Sequence, residues 1–167
     1  VYWKKLLKIP TSGRSPKAES RFDPADLAPF SVFRCNYRFD GDPDVLPARR
    51  FVCLAHAKHE RSDVVITLKA TSKLEAYRNN PARLAGVVVY PAGAIPFFEK
   101  DTLIQPDNPI LHHHSNLAKQ YAAGDLAILG MMPDGFVEEL ARAIKDSITM
   151  SAVRKRNLLA MLGLSTS

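Results

Sequence analysis

The chain has little cysteine, little acid and no long apolar run. Its two cysteines, Cys35 and Cys53, rule out a disulfide-rich secreted scaffold. Each falls in a run with strand character, so buried free thiols in a reducing compartment are expected rather than a bridge. No apolar stretch approaches the ~20 residues that span a bilayer, which argues against a transmembrane helix. The opening, Val1-Tyr-Trp-Lys-Lys-Leu-Leu-Lys-Ile-Pro10, is basic and apolar but lacks the uninterrupted apolar core and small-residue cleavage site of a secretory signal. Val1 in place of an initiator Met is the expectation for a trimmed or partial chain. A cytoplasmic protein with no membrane association follows from these absences. Asp and Glu number 17 against 23 Lys and Arg, and the net charge of +6 favours anionic partners, nucleic acid foremost. That charge specifies neither sequence reading nor chemistry.

What is present is globular usage, with 46% hydrophobic and 24% charged residues in 167, enough for one core and too few for two full domains. Residues 1–30 read as a basic, Pro-rich N-terminal arm. Proline removes a backbone donor and turns its preceding residue away from helix, and Pro10, Pro16, Pro24 and Pro29 make this an extended linker. Residues 31–167 read as a single domain. Strands are expected at 31–39, 50–56, 63–71, 86–90 and 100–105, with a last short one at 125–130. Asp40-Gly-Asp-Pro-Asp44 and Lys58-His-Glu-Arg-Ser62 supply turn chemistry between the first three, and Pro106-Asp-Asn-Pro109 stops the fifth. Residues 73–84 allow at most a single helical turn. Helices are expected at about 115–123, 135–146 and 152–162, capped by Ser115, Asp134 and Ser151. The fold class is therefore α+β and mainly β: a small curled antiparallel barrel over residues 31–110 with C-terminal helices.

The most informative juxtaposition is Arg49-Arg50 at the start of one strand and Thr71-Ser72 at the end of the next. In an antiparallel hairpin turning at 58–62, residues equidistant from the turn face each other, so Arg50 meets Thr71 or Ser72 at one end of the sheet. A planar guanidinium beside hydroxyls suits a phosphodiester; an ordinary strand-end Arg and a Thr-Ser turn cap is the plainer alternative. The run His112-His-His114 is read three ways: a metal site, an RNA-contacting loop or a plain surface loop. Consecutive strand residues point to alternate faces, so only His112 and His114 are placed to share one, and no further ligand recurs at a convincing spacing. His56 and His59 flank the hairpin turn as surface residues, far from Arg50.

The order of these elements resembles the MazF/PemK family of toxin endoribonucleases over roughly residues 31–145. Arg50-Phe-Val-Cys-Leu-Ala55 is similar to that family's Arg-Pro-hydrophobic strand, and Val64-Val-Ile-Thr-Leu-Lys-Ala-Thr71-Ser72-Lys73 to its strand ending in a hydroxyl pair. Thr102-Leu-Ile-Gln105-Pro106 resembles its later Gln-Pro strand, and Leu129-Gly130 with Pro133-Asp-Gly-Phe-Val-Glu-Glu-Leu140 its closing strand and helix. Phe51 stands in place of the usual Pro, and Ile104 in place of the acidic residue expected before Gln105.

The resemblance implies an SH3-like, CcdB/PemK-type barrel and a metal-independent, sequence-selective endoribonuclease. The ribose 2′-hydroxyl attacks the adjacent phosphate, leaving a cyclic phosphate and a 5′-hydroxyl. Arg50 would stabilise the pentacovalent anion, and Thr71 and Ser72 would position the phosphate. Arg49, Lys73, Gln105, His112 and His114 would contact RNA. No cofactor or metal is required, the general base is unassigned, and the implied partners are single-stranded RNA, a small antitoxin protein and a second copy of the chain. The alternative is a non-catalytic SH3-like or CcdB-like barrel that binds a protein or nucleic acid. A third reading is a metal-dependent enzyme built on His112–His114.

Overall fold

The computed structural model describes residues 21–42, 44 and 47–164. The arm over residues 1–20 lies outside them. Six strands form one curled antiparallel sheet: β1 (Ser31–Asn36), β2 (Ala48–His59), β3 (Ser62–Thr71), β4 (Val88–Tyr90), β5 (Thr102–His113) and β6 (Ala127–Met131). Their order is β4-β5-β3-β2-β1-β6, so β4 and β6 remain edges and the sheet is a half-barrel. The helices are two single turns, α1 (Glu75–Arg78) and α2 (Pro81–Leu84), then α3 (His114–Ala122), α4 (Phe136–Asp146) and α5 (Ala152–Met161). Among the described residues no helix is long and apolar enough to cross a membrane.

Strand alternation sends successive side chains to opposite faces, and both faces here are covered. Val32, Val52, Leu54, Ile66, Leu68 and Ile104 meet Phe136, Leu140 and Ile144 of α4 and Leu158 and Leu159 of α5. Full burial of each such side chain is worth about 1.5–3 kcal/mol, so α4 is fixed by its apolar stripe. On the opposite face Phe33, Cys35, Phe51, Cys53, Val65 and Ile110 pack with Leu117 of α3 and Leu27. Cys35 and Cys53 are buried and unbridged. Burial pushes their thiols up to about 12 and about 11, which leaves them protonated and unreactive at neutral pH.

Four local expectations are corrected. Residues 21–30 are not simply a linker: Pro24–Asp26 form a 3-10 turn capped by Asp23, and Leu27 is buried in the second core. Residues 73–84 form two turns, because Asn80 caps α2 through the Arg83 N–H and Pro81 follows with its preset φ. Gly135 at φ 90°, not Asp134, precedes α4. Finally, β5 does not stop at Pro106. Lys69 pairs with Gln105 but Thr67 with Ile110, so Pro106-Asp-Asn-Pro109 is absorbed as a bulge and pairing resumes. A bulge needs no ladder N–H from its prolines.

The β2–β3 hairpin forms in the expected sense, with Glu60 and Arg61 at φ 46° and 69° between the pair His59 and Ser62. Two positive φ values define a type I′ turn, whose twist suits the flanking strands. At the other end of this hairpin the strands open into the candidate site.

Candidate anion-binding cleft

Two registers build the site. The β1–β2 pairing sets Arg34 opposite Arg50 and Cys35 opposite Arg49, and the β2–β3 pairing sets Arg50 opposite Ala70. Arg34, Arg50 and Ala70 thus share one face in one row across three strands. Like charges placed directly opposite each other destabilise a sheet, so this row is tolerated at a cost. Among the described residues neither arginine has an ion-pair partner, and the Arg50 Nε is buried without a hydrogen bond. A cleft of about 340 Å³ opens here, lined by Arg34, Arg49, Arg50, Lys69, Lys73 and the hydroxyl residues Thr71 and Ser72.

Of these cations Arg49 is neutralised locally. Its Nη2 lies 2.6 Å from Asp42 Oδ1, and its Nε donates to the Tyr37 carbonyl at 3.2 Å. The Phe39 N–H donates to the other Asp42 oxygen at 2.7 Å. That backbone bond, and after it the Arg49 bond and the charges of Arg49 and Lys73, hold the Asp42 carboxyl below its usual range against the opposing effect of desolvation. The Phe39 ring receives two cations, with Arg49 Cζ 4.6 Å and Lys69 Nζ 4.5 Å from its centroid. Burial, then repulsion from Arg49 and Lys73, lowers the Lys69 ammonium pKa, and Asp42 only partly restores it. The cleft therefore holds a surplus of positive charge, part of it desolvated.

The structure gathers Arg49, Arg50, Thr71, Ser72 and Lys73 in one cleft. Ala70, rather than Thr71, stands opposite Arg50. Thr71 is one residue along, so its side chain leaves the strand on the other face and reaches the cleft at the end of the sheet. Its Oγ1 accepts the Lys73 N–H at 3.2 Å. Gln105 sits one row away opposite Lys69, and its side-chain amide donates to the Tyr77 hydroxyl.

The two histidines do not join them. His112 lies opposite Val65, six positions along β3 from Thr71, or roughly 20 Å at strand rise. It is only 2% exposed, which removes it from any RNA surface. Phe33, Tyr37 and Phe51 enclose its ring at centroid distances of 5.6, 5.1 and 4.5 Å. Burial pushes its pKa down to about 4, and among the described residues its Nε2 has no hydrogen-bond partner. The bulge explains the difference, because it turns the expected loop at 112–113 into paired strand. His114, the first residue of α3, stands at the same far end against His56. Among the described residues no three His, Cys, Asp or Glu side chains converge on a point, so the His112–His114 run builds no metal cage.

Sequence reasoning overlooked Arg34, Lys69 and Asp42. The equidistance rule applied to the first hairpin, about the turn at 40–44, would have set Arg34 beside Arg50. Lys69 precedes Thr71 by two and so shares its face. Nothing in the sequence signalled that Asp42 would be taken up by Arg49.

The chain matches no protein-family model and no curated protein.

Proposed function

We propose that the cleft holds the backbone of single-stranded RNA and that the protein is a metal-independent endoribonuclease of MazF/PemK type on an SH3-like half-barrel. The observation that carries this reading is the Arg34–Arg50 row. Two unpaired guanidiniums directly across a sheet cost stability in the free protein, and a bound phosphodiester removes that cost by bidentate pairing. Arg50 is the group that meets charge developing on the phosphate oxygens as the 2′-hydroxyl attacks phosphorus and the 5′ oxygen leaves. Ser72 and the free proton of Thr71 orient the phosphate. The lowered Lys69 ammonium is the proton donor to the departing 5′ oxygen, since among the described residues no histidine lines the cleft and its neighbouring carboxylate is engaged by Arg49; the proton of the attacking 2′-hydroxyl passes to solvent water, from which Lys69 is recharged. The products are a 2′,3′-cyclic phosphate and a 5′-hydroxyl. A cytoplasmic location, a second copy of the chain and a small antitoxin that covers the cleft belong to the same proposal.

A second reading, RNA binding without cleavage, is favoured by the Thr71 oxygen being used by Lys73 and the Gln105 amide by Tyr77. Incubating the purified chain with a long single-stranded RNA in EDTA, beside Arg50→Ala, separates the two. Cleavage that survives EDTA, leaves cyclic phosphate ends and disappears in Arg50→Ala is the expected result. Folded protein, free of any co-purified inhibitor, that retains RNA without cutting it establishes the second reading. EDTA-sensitive cutting overturns both.

A further inference from the structure

His56 and His114 come together from distant parts of the chain, the far end of β2 and the first turn of α3. His56 Nε2 lies 2.8 Å from the Leu27 carbonyl oxygen. A carbonyl only accepts, so this nitrogen carries the proton, and in the neutral ring Nδ1 is left as a lone pair. That lone pair lies 3.2 Å from His114 Nε2, with the rings nearly perpendicular at 88°.

We propose that His56 Nδ1 and His114 Nε2 form a two-histidine site for a borderline divalent transition-metal cation of the zinc, nickel and copper class, with water completing the coordination shell. The site is independent of the RNA reading and lies at the opposite end of the sheet from the cleft. Zinc–nitrogen bonds of about 2.0–2.1 Å at a tetrahedral angle set two ligating nitrogens about 3.3 Å apart. The observed 3.2 Å matches that spacing. The Leu27 carbonyl plays the part of the outer acceptor that fixes the tautomer and ring plane of a metal-bound histidine. His114 offers its Nε2 lone pair once its proton shifts through solvent to Nδ1, a change of tautomer with no change of charge. Asp23 and Asp63 are the carboxylates whose charge reaches His114, and they favour a dication there. Lys58, 3.3 Å from Asp63, offsets part of that field. His56 is exposed and His114 half-buried, so the pair is open to a hydrated ion. Without metal the same lone pair accepts an N–H···N bond from His114, and that bond alone takes up no ion.

Two imidazoles, half the ligand set of a structural zinc site, predict a dissociation constant on the order of 10 µM. The test is calorimetric titration of the tag-free full chain with zinc chloride in a non-coordinating buffer slightly above neutral pH. One equivalent is expected to bind. His56→Ala and His114→Ala should each weaken it roughly tenfold or more, while His59→Ala and His113→Ala leave it unchanged. A second measurement needs no substitution: substoichiometric copper(II) should broaden the NMR resonances of His56 and His114 before those of His59 and His113. No zinc uptake, uptake indifferent to both alanine variants, or broadening centred elsewhere overturns the site.

Discussion

Replacing His112 by Phe should remove a large part of the acid sensitivity of folding. His112 is buried among three aromatic rings with an unpartnered Nε2, and its pKa falls from 6.5 to about 4 in the folded protein. The unfolded chain therefore binds a proton that the folded chain refuses between about pH 6.5 and 4. The stability from a neutral buried ring is present in full above that window and is lost as pH falls through it. Linkage gives a loss of about 1.4 kcal/mol at pH 5.5 and about 2.5 kcal/mol at pH 4.5 relative to pH 7.5, from this residue alone. Phe fills the same aromatic box and brings no proton and no orphan nitrogen. At pH 7.5 the relief of the unsatisfied nitrogen and the strain of a slightly larger ring are each about 1–3 kcal/mol and opposed, so the informative quantity is the slope. Urea unfolding of both proteins at these three pH values measures it. The wild type should lose about 2.5 kcal/mol more than His112→Phe between pH 7.5 and 4.5. Parallel pH profiles would refute the argument, since the ring would then titrate equally in both states.

Other outcomes follow from single contacts. Glu60→Asn with Arg61→Gly places the favoured residues at two positive-φ turn positions and should stabilise the protein by about 1 kcal/mol, read as a higher urea midpoint with unchanged slope. Gly130→Ala puts a Cβ 2.8 Å from the Phe97 ring at φ 152° and should cost about 1–3 kcal/mol in the same assay. Asp42→Asn keeps the acceptor for the Phe39 N–H but frees the Arg49 charge. It should tighten RNA binding by roughly twofold at low salt and leave binding nearly unchanged at high salt.

Much of the sheet was legible because its strands are short runs rich in β-branched and aromatic residues and its hairpin loops carry turn residues. Phe51-Val-Cys-Leu54 and Val64-Val-Ile-Thr-Leu68 are nearly continuous buried runs, the mark of strands covered on both faces, with Val52, Leu54, Ile66 and Leu68 going to one core and Phe51, Cys53 and Val65 to the other. The equidistance rule brought Arg50 to the end of β3, missing its partner by one residue, Ala70 in place of Thr71. A one-residue error matters here, because it decides which face a side chain leaves from. The failures share a cause, in that nonlocal packing decided what local chemistry left open. Pro106 and Pro109 read as a stop until a partner strand is available to accommodate a bulge. The three histidines read as one surface feature until β5 continues through them, burying His112 and turning His114 toward His56. Residues 21–30 read as linker because the apolar face that receives Leu27 comes from β1, β2 and α3, and no property of the segment itself reveals it. Arg34 was in plain view, but its value depended on pairing the first hairpin as carefully as the second.

The central claim is that Arg34, Arg50, Lys69 and Lys73 act together on a nucleic-acid backbone. Binding of a labelled, uncleavable 2′-O-methyl single-stranded RNA, followed by fluorescence anisotropy across a series of salt concentrations, tests it most directly. Four phosphate contacts predict a slope of log K against log salt of about −2.8, and Arg50→Ala should reduce its magnitude by about 0.7. A slope near zero, or the same slope in the wild type and Arg50→Ala, would contradict the account.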